Sequence, residues 1–144
     1  MAVKRITPPE AHKLLAEGYA YLDVRSVPEF EQGHPAGAYN VPLLHLGPAG
    51  STPNAEFVAV VERAFPKDAK LVVGCKSGGR SQRAVMMLEA AGFVNAVDMK
   101  GGFGGEGDMM GRLVDPGWAR QGLPVATKAE AGRSWTELKG PGKP

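Results

Sequence analysis

The middle of the sequence alternates a short apolar run, a glycine-rich turn, a helix-like segment and a second apolar run. Leu71–Gly74 (LVVG) is too short for a helix and is typical of a buried strand. Residues 81–91 (SQRAVMMLEAA) fit a helix that ends at Gly92, and residues 94–99 (VNAVDM) fit another strand. Short strands that alternate with helices predict an α/β domain with a small, mainly parallel sheet.

The same alternation extends to both sides of this segment. Two capping-box sequences, TPPE at 7–10 and SVPE at 26–29, predict the first turns of two helices. The other predicted elements are strands at 19–24 and 39–41, a turn at 33–38, a loop at 46–53, a helix from Asn54 to Pro66, a short helix at 115–120 and a closing segment at 123–125.

The composition supports one packed domain and argues against several kinds of partner. The chain has 144 residues, is 43% hydrophobic and carries a formal net charge of only +2. It has no basic stripe interleaved with aromatic residues, so we predict no nucleic-acid interface. No segment approaches the roughly 18 apolar residues of a membrane span, and the N-terminus lacks an apolar leader, so we predict no membrane contact.

The cysteine and histidine content limits the metal chemistry. Cys75 is the only cysteine of the sequence, which excludes an intramolecular disulfide framework and a zinc site built from several cysteines. A reducing, cytoplasmic location is expected, with Cys75 kept as a thiol. No two histidines pair with Cys75 or with carboxylates at metal-ligand spacing, so we predict no metal and no cofactor.

The C-terminal part differs from the rest of the chain. From about residue 127 the sequence loses periodicity and becomes rich in Lys, Gly, Pro and Glu. We expect residues 127–144 to form a poorly ordered extension, which Trp135 could anchor.

Cys75 follows the predicted strand at 71–74 directly. In open α/β sheets the reactive site lies at the carboxyl ends of the strands, where a strand passes into a helix. A buried structural cysteine is the more common situation in such domains, but it needs no cationic, glycine-rich neighbours. The context GCKSGGRS therefore favours a reactive thiol over an inert one.

The residues after Cys75 suit an anion. Gly78 and Gly79 lack a Cβ, which lets the chain curl until several N–H groups converge at the start of the next helix. Lys76 and Arg80 add positive charge to this turn. The segment predicts a thiolate nucleophile in an anion-binding cradle, activated without a histidine base.

CKSGGRS, at 75–81, resembles the active-site loop of rhodanese domains, the sulfurtransferases that form a cysteine persulfide. Further segments resemble other landmarks of that family in the same order: YLDVRSVPEFEQGHPAGAYNVP at 21–42, AAGF at 90–93, KGGF at 100–103 and GWARQGLPV at 117–125. The resemblance covers residues 4–126 and implies a rhodanese-like fold with helices on both faces of the sheet. One departure is an insertion at about 104–116, which could form a lid or reshape the pocket rim.

The resemblance also implies roles for the loop. Cys75 would attack the outer sulfur of a donor such as thiosulfate, release sulfite and carry a persulfide to a thiol or cyanide acceptor, possibly on a thioredoxin-like protein. Lys76 and Arg80 would orient the donor, although Arg80 could instead brace the loop, and Asp23 and Arg25 would support the loop by ion pairs. The substrate-binding set is the whole loop after the cysteine: Lys76, Ser77, Gly78, Gly79, Arg80 and Ser81.

Two other functions remain open at this point. The cell-division-cycle phosphatases share this architecture, and a phosphatase or arsenate reductase is one alternative; those enzymes carry Cys-x5-Arg. Cys75 and Arg80 form the shorter Cys-x4-Arg, a tighter cradle that suits a sulfur atom. The other alternative is a non-catalytic rhodanese-like binding module, which the presence of Cys75 and Arg80 disfavours.

Overall fold

The computed structural model describes residues 4–48, 50–76 and 79–139. The strands are β1 (Arg5–Ile6), β2 (Ala20–Asp23), β3 (His34–Pro35), β4 (Tyr39–Asn40), β5 (Leu44–Gly47), β6 (Gly50–Pro53), β7 (Leu71–Gly74), β8 (Ala96–Met99), β9 (Glu106–Gly107), β10 (Leu113–Asp115) and β11 (Val125–Ala126). The helices are α1 (Pro8–Ala16), α2 (Val27–Gln32), α3 (Phe57–Ala64), α4 (Gly79–Ala90), α5 (Gly117–Arg120) and α6 (Trp135–Leu138).

Five strands form the central sheet, in the order β1-β8-β7-β2-β4. Every neighbouring pair in this sheet is parallel, as the alternation of strands and helices predicts. Because β7 lies in the centre, the residues that follow it are surrounded by the carboxyl ends of β2 and β8.

The two faces of the sheet carry two separate clusters of buried side chains. Alternate residues of a strand point to opposite faces, so Val72 faces one cluster while Leu71 and Val73 face the other. The cluster around Val72 includes Trp118, and the cluster around Val73 includes the buried apolar side chains of α3 and α4. Helices therefore cover both faces, which confirms the predicted fold class.

Both predicted capping boxes are present. The Thr7 hydroxyl accepts a hydrogen bond from the Glu10 amide at 3.3 Å, and the Glu10 carboxylate accepts one from the Thr7 amide at 2.9 Å. The Glu29 carboxylate accepts hydrogen bonds from the amide and the hydroxyl of Ser26, at 3.1 and 2.8 Å. These local bonds satisfy N–H groups that the first turn of a helix leaves without partners.

The structure differs from the sequence prediction in three connecting segments. β1 was not predicted, because two residues are too few to show a period. The predicted loop at 46–53 lies instead in the antiparallel pair β5 and β6. The predicted turn at 33–38 contains β3, which pairs with β11 of the closing segment. Such short pairs depend on a partner that is distant in the chain or on the turn between them.

The insertion at 104–116 contains the antiparallel pair β9 and β10. Glu106 ties the base of this hairpin to the domain, because its carboxylate accepts hydrogen bonds from Arg5 at 2.9 Å and from the Gly101 amide at 3.2 Å. A role of the hairpin as a lid stays a prediction. None of the helices in the described ranges is long and apolar enough to span a bilayer.

Residues 127–139 differ from the poorly ordered extension that the composition predicts. Trp135 is only 6% exposed and packs in the same cluster as α3 and α4. The Arg133 guanidinium lies 4.6 Å from the centre of the Tyr39 ring and donates a hydrogen bond to the Gly37 carbonyl at 2.9 Å. The buried side chain of Trp135 thus anchors a segment that has few other hydrophobic residues. Residues 140–144 lie outside the described residues.

This packing predicts a measurable contribution of the extension to stability. Trp135→Ala should lower the free energy of unfolding by about 3 kcal/mol, because it removes a large buried side chain and leaves a cavity. The neighbouring Thr136 is exposed, so Thr136→Ala should change it by less than about 0.5 kcal/mol. Urea denaturation of the two variants makes the comparison, and equal effects would refute the packing role of Trp135.

Candidate active site

Cys75 lies at the carboxyl end of the central strand β7, as predicted. Its side chain is 1% exposed. Asp23 ends β2 on one side and Asp98 lies in β8 on the other, because parallel strands end at the same edge of the sheet. The site therefore combines a buried sulfur with two buried carboxylates.

The segment 101–104 (GGFG) holds the start of the cysteine loop through its backbone. The Phe103 amide donates to the Cys75 carbonyl at 2.7 Å, and the Gly104 amide donates to the Lys76 carbonyl at 2.9 Å. A Cβ on Gly102 would lie 2.5 Å from the Cys75 carbonyl oxygen, and the φ of Gly102 is +58°, so glycine is required for this close approach. The glycines of the predicted KGGF landmark thus have a direct structural purpose.

These bonds also orient the peptide groups of the loop. In a trans peptide the N–H is antiparallel to the C=O, so the Lys76 N–H points away from the segment 101–104. Ser77 and Gly78, two members of the predicted anion cradle, lie outside the described residues. Gly79 is described and begins α4. Convergence of the loop amides on an anion stays a prediction.

Arg80 forms a two-pronged ion pair with Glu29 of α2. Its two terminal nitrogens donate to the two carboxylate oxygens at 2.7 and 3.0 Å. Burial opposes the charge on Glu29, but the bonds from Arg80 and Ser26 outweigh it and lower the pKa of Glu29 to about 2. The arrangement places Arg80 in the bracing position that the sequence left open, and a direct contact between Arg80 and substrate stays a prediction.

Asp23 and Arg25 form a second, more deeply buried ion pair. An Arg25 terminal nitrogen lies 2.7 Å from the Asp23 carboxylate, and the same nitrogen donates to the Gly33 carbonyl at 2.6 Å. The Arg25 guanidinium also stacks 4.4 Å from the centre of the Phe103 ring. The pair thus contacts Phe103, whose amide donates to the Cys75 carbonyl, and its support of the cysteine loop stays a prediction.

A cleft of about 260 Å³ lies beside the loop. Its walls include the polar side of α2, the Arg25 guanidinium and the side chain of Lys76, and Phe103 and Gly104 border it. Among the described residues no carboxylate forms an ion pair with Lys76, whereas Arg25 has a carboxylate partner. Lys76 therefore supplies the uncompensated positive charge of the cleft.

A third set of polar groups lies behind the sulfur. The Cys75 thiol donates to the Ser81 hydroxyl at 3.4 Å, and the Ser81 hydroxyl donates to the Asp98 carboxylate. The other oxygen of Asp98 accepts from Arg5 Nε at 2.7 Å. Ser81 was predicted to bind substrate; in the structure it is fully buried and links the nucleophile to Asp98.

The charges in this third set depend on one another. Burial raises the pKa of Asp98, although its bonds to Ser81 and Arg5 act in the opposite direction. Burial also opposes the charge on Arg5, but its bonds to Glu106 and Asp98 prevail and raise the pKa of the guanidinium. Asp98, Arg5 and Glu106 were not singled out from the sequence; an aspartate inside the apolar run VNAVDM was the available signal.

Among the described residues, no group of three His, Cys, Asp or Glu side chains is close enough together to hold a metal ion. His34 is buried, and its Nδ1 lies 2.7 Å from the Phe30 carbonyl oxygen.

The Arg80–Glu29 pair predicts a pH-dependent contribution to stability. The pKa of Glu29 is about 2 in the folded protein, below its ordinary value of 4.5. The carboxylate therefore stabilises the fold above about pH 4.5, and this contribution disappears as the pH falls towards 2. Glu29→Gln should lower the free energy of unfolding by about 1 kcal/mol at pH 7, and this difference from the wild type should become smaller as the pH falls.

Urea denaturation from pH 7 down to pH 3 measures this difference. Glu62→Gln is the matched control, because Glu62 forms an exposed ion pair with Lys67 at 3.0 Å. It should change the free energy of unfolding by less than about 0.5 kcal/mol at every pH. A Glu29→Gln deficit that does not change with pH would contradict the assignment to the ion pair.

Comparisons with known proteins agree with this geometry. Residues 7–105 match the family model of the rhodanese-like domain. The chain is 42% identical over 115 residues to thiosulfate sulfurtransferase 16, chloroplastic, of Arabidopsis thaliana, which covers 80% of this chain and 86% of that protein. It is 40% identical over 93 residues to the senescence-associated protein DIN1 of Raphanus sativus, covering 65% of this chain but only 51% of that protein.

The fold agrees as well. The crystal structure of Rv0390 from M. tuberculosis superposes with a TM-score of 0.73 at 27% identity, covering 89% of this chain and 100% of that one. The family model covers more than half of the chain, and the predicted landmarks occur in order on the expected fold. The chain belongs to the rhodanese-like domain family.

Proposed function

We propose that the protein is a sulfurtransferase that moves a sulfane sulfur from thiosulfate, or a similar donor, to a nucleophilic acceptor through a persulfide on Cys75. The observation that carries the proposal is the position of Cys75. It follows the central strand, at the head of a Cys-x4-Arg loop, next to a cleft into which Lys76 brings positive charge. The name of the Arabidopsis relative supports this activity.

The reaction divides into two displacements at sulfur. The Cys75 thiolate attacks the outer sulfur of thiosulfate, the S–S bond of the donor breaks, and sulfite leaves with the electron pair. A thiol or cyanide then attacks the terminal sulfur of the persulfide and regenerates the Cys75 thiolate. No external oxidant or reductant is required for the transfer itself.

The charges of the cleft match the donor and the leaving group. Thiosulfate and sulfite are both anions, and charge builds up on the sulfite oxygens as the S–S bond breaks. Lys76 and Arg25 both line the cleft in which this charge would develop. Fixed positive groups in a site that excludes water stabilise the negative charge of the transition state more strongly than the same groups would in bulk water.

The two alternative functions are less well supported. A phosphatase or arsenate reductase needs a loop wide enough for a tetrahedral oxyanion, and the loop here is one residue shorter than Cys-x5-Arg. Arg80 is also engaged with both oxygens of Glu29, which leaves it poorly placed to bind a phosphate directly. A non-catalytic module would not need a sulfur at this position. The thioredoxin-like acceptor and the cytoplasmic location stay predictions.

The persulfide itself provides the first test. After incubation with thiosulfate, intact mass spectrometry of the wild-type protein should show a gain of one sulfur atom, which cyanide removes. Cys75→Ser should show no gain, because an alcohol does not act as the sulfur carrier. If the wild type gains no sulfur but hydrolyses a phosphate ester or reduces arsenate, the sulfurtransferase proposal is wrong.

The role of Lys76 provides a second test. Lys76→Met should lower kcat/KM for thiosulfate about tenfold, since it removes the uncompensated cation beside the donor. Lys70→Met is the matched control, because Lys70 is an exposed lysine that precedes β7 at the opposite end of the strand. Steady-state assays at two salt concentrations should show the loss only for Lys76→Met, and screening should reduce it at high salt. Equal effects of the two substitutions would exclude a local role for Lys76.

A further inference from the structure

A line of buried polar side chains continues from the sulfur of Cys75 into the protein. It passes through Ser81 in the first turn of α4 to Asp98 in β8, and both of these side chains have an exposure of 0%. Arg5 in β1 and Glu106 in β9 complete the line. The proposed transfer reaction uses Cys75 but assigns no task to the groups behind it.

The hydrogen bonds of this line have a defined direction. The Ser81 hydroxyl has one proton, and this proton is donated to Asp98 Oδ1. Ser81 therefore presents a lone pair to Cys75 and accepts the bond from its thiol. In this arrangement the sulfur is protonated and Asp98 is a carboxylate. A thiolate could receive a bond from Ser81 only if the proton of Ser81 were free to turn towards it.

We propose that Asp98 is the proton acceptor for Cys75 and that it acts through Ser81. The S–H bond of Cys75 breaks as its proton moves to Ser81 Oγ, and the original proton of Ser81 moves to Asp98 Oδ1. The products are a thiolate that accepts a hydrogen bond from Ser81, and a neutral carboxylic acid that donates to Ser81. The total charge is unchanged, and no proton enters from the solvent. This inference rests on the proposed function only in taking Cys75 as the nucleophile.

The surroundings of Asp98 suit a carboxyl group that changes its charge. Burial raises its pKa, which makes it a better base than an exposed aspartate. Its second oxygen is held by Arg5, so Oδ1 is the oxygen that faces Ser81. When Asp98 is neutral, Arg5 retains the carboxylate of Glu106 at 2.9 Å as a counter-ion. The Arg5 guanidinium, which is partly exposed, therefore keeps a carboxylate partner when Asp98 is protonated.

The other charged or titratable groups near Cys75 are less suited to accept its proton. Tyr21 from β2 is buried, its hydroxyl has no hydrogen-bond partner among the described residues, and burial raises its pKa well above the ordinary value. Arg80 is a cation paired with Glu29, and Asp23 is paired with Arg25. Ser81 connects the sulfur directly to Asp98.

Proton sharing would also assist the persulfide state. The terminal sulfur of a persulfide carries negative charge, and a buried carboxylate behind it would repel that charge. If Asp98 keeps the proton while Cys75 is a persulfide, this repulsion is absent. When the acceptor removes the terminal sulfur, the proton can return through Ser81 to the Cys75 thiolate.

The test is the pH dependence of alkylation of Cys75 by iodoacetamide. Cys75 is the only cysteine in the chain, so intact mass spectrometry measures the rate at this residue alone. An isolated thiol loses about tenfold in rate for each pH unit below its midpoint. A shared proton instead keeps the thiolate fraction constant between the two macroscopic pKa values of the pair, so the wild-type rate should show a plateau at moderately acid pH.

Asp98→Asn and Ser81→Ala should both abolish the plateau and restore the tenfold dependence on each pH unit. Glu62→Gln is the charge-matched control, because it removes an exposed carboxylate that is paired with Lys67 and leaves every bond from Cys75 to Glu106 in place. It should retain the plateau. Circular dichroism confirms that each variant is folded, and Ser81→Ala provides the test if Asp98→Asn does not fold.

The outcomes separate this inference from the proposed function. A wild-type rate that falls tenfold per pH unit throughout, a plateau that survives in both Asp98→Asn and Ser81→Ala, or a Cys75 that is not alkylated at any pH would overturn the shared proton. Iodoacetamide needs no sulfur donor, so a plateau in a protein that takes no sulfur from thiosulfate would contradict the transferase activity alone. Persulfide formation without a plateau would contradict the shared proton alone.

Discussion

The hydrogen bonds that Phe103 and Gly104 donate to the carbonyls of Cys75 and Lys76 determine the path of the cysteine loop. They require a glycine at 102, where a side chain would collide with the loop backbone. They also bring Phe103 against Arg25, and thereby connect the loop to the buried ion pair at the end of β2. The loop is therefore held from outside by main-chain contacts, so its own residues can be selected for chemistry.

Charge compensation follows a consistent pattern around this loop. Asp23 balances Arg25, Glu29 balances Arg80, and Asp98 shares Arg5 with Glu106. Such pairing is necessary because an isolated charge in a buried position costs several kcal/mol. It leaves Lys76 at the surface as the cation that can respond to a ligand.

The sequence predicted those features that are encoded within short segments. The parallel sheet follows from the alternation of strands and helices, and the position of Cys75 follows from the strand that precedes it. The residues that pair with the loop and its neighbours could not be predicted from the sequence, because they come from distant parts of the chain. Arg80 and Glu29 are 51 residues apart, and Arg5 and Asp98 are 93 residues apart. The sequence indicates Trp135 as a possible anchor, but its burial depends on a site that only the folded chain creates.

The line of polar side chains behind Cys75 includes residues beyond both ends of the segment that the family model matches. The family model covers residues 7–105, whereas Arg5 precedes that segment and Glu106 follows it. Arg5 and Glu106 form an ion pair with each other, and Arg5 also donates to Asp98. Excising the domain at the family boundaries would remove both, and would leave a buried aspartate without its cation. For this chain, the smallest unit that contains the complete site is larger than the smallest unit that carries the family signature.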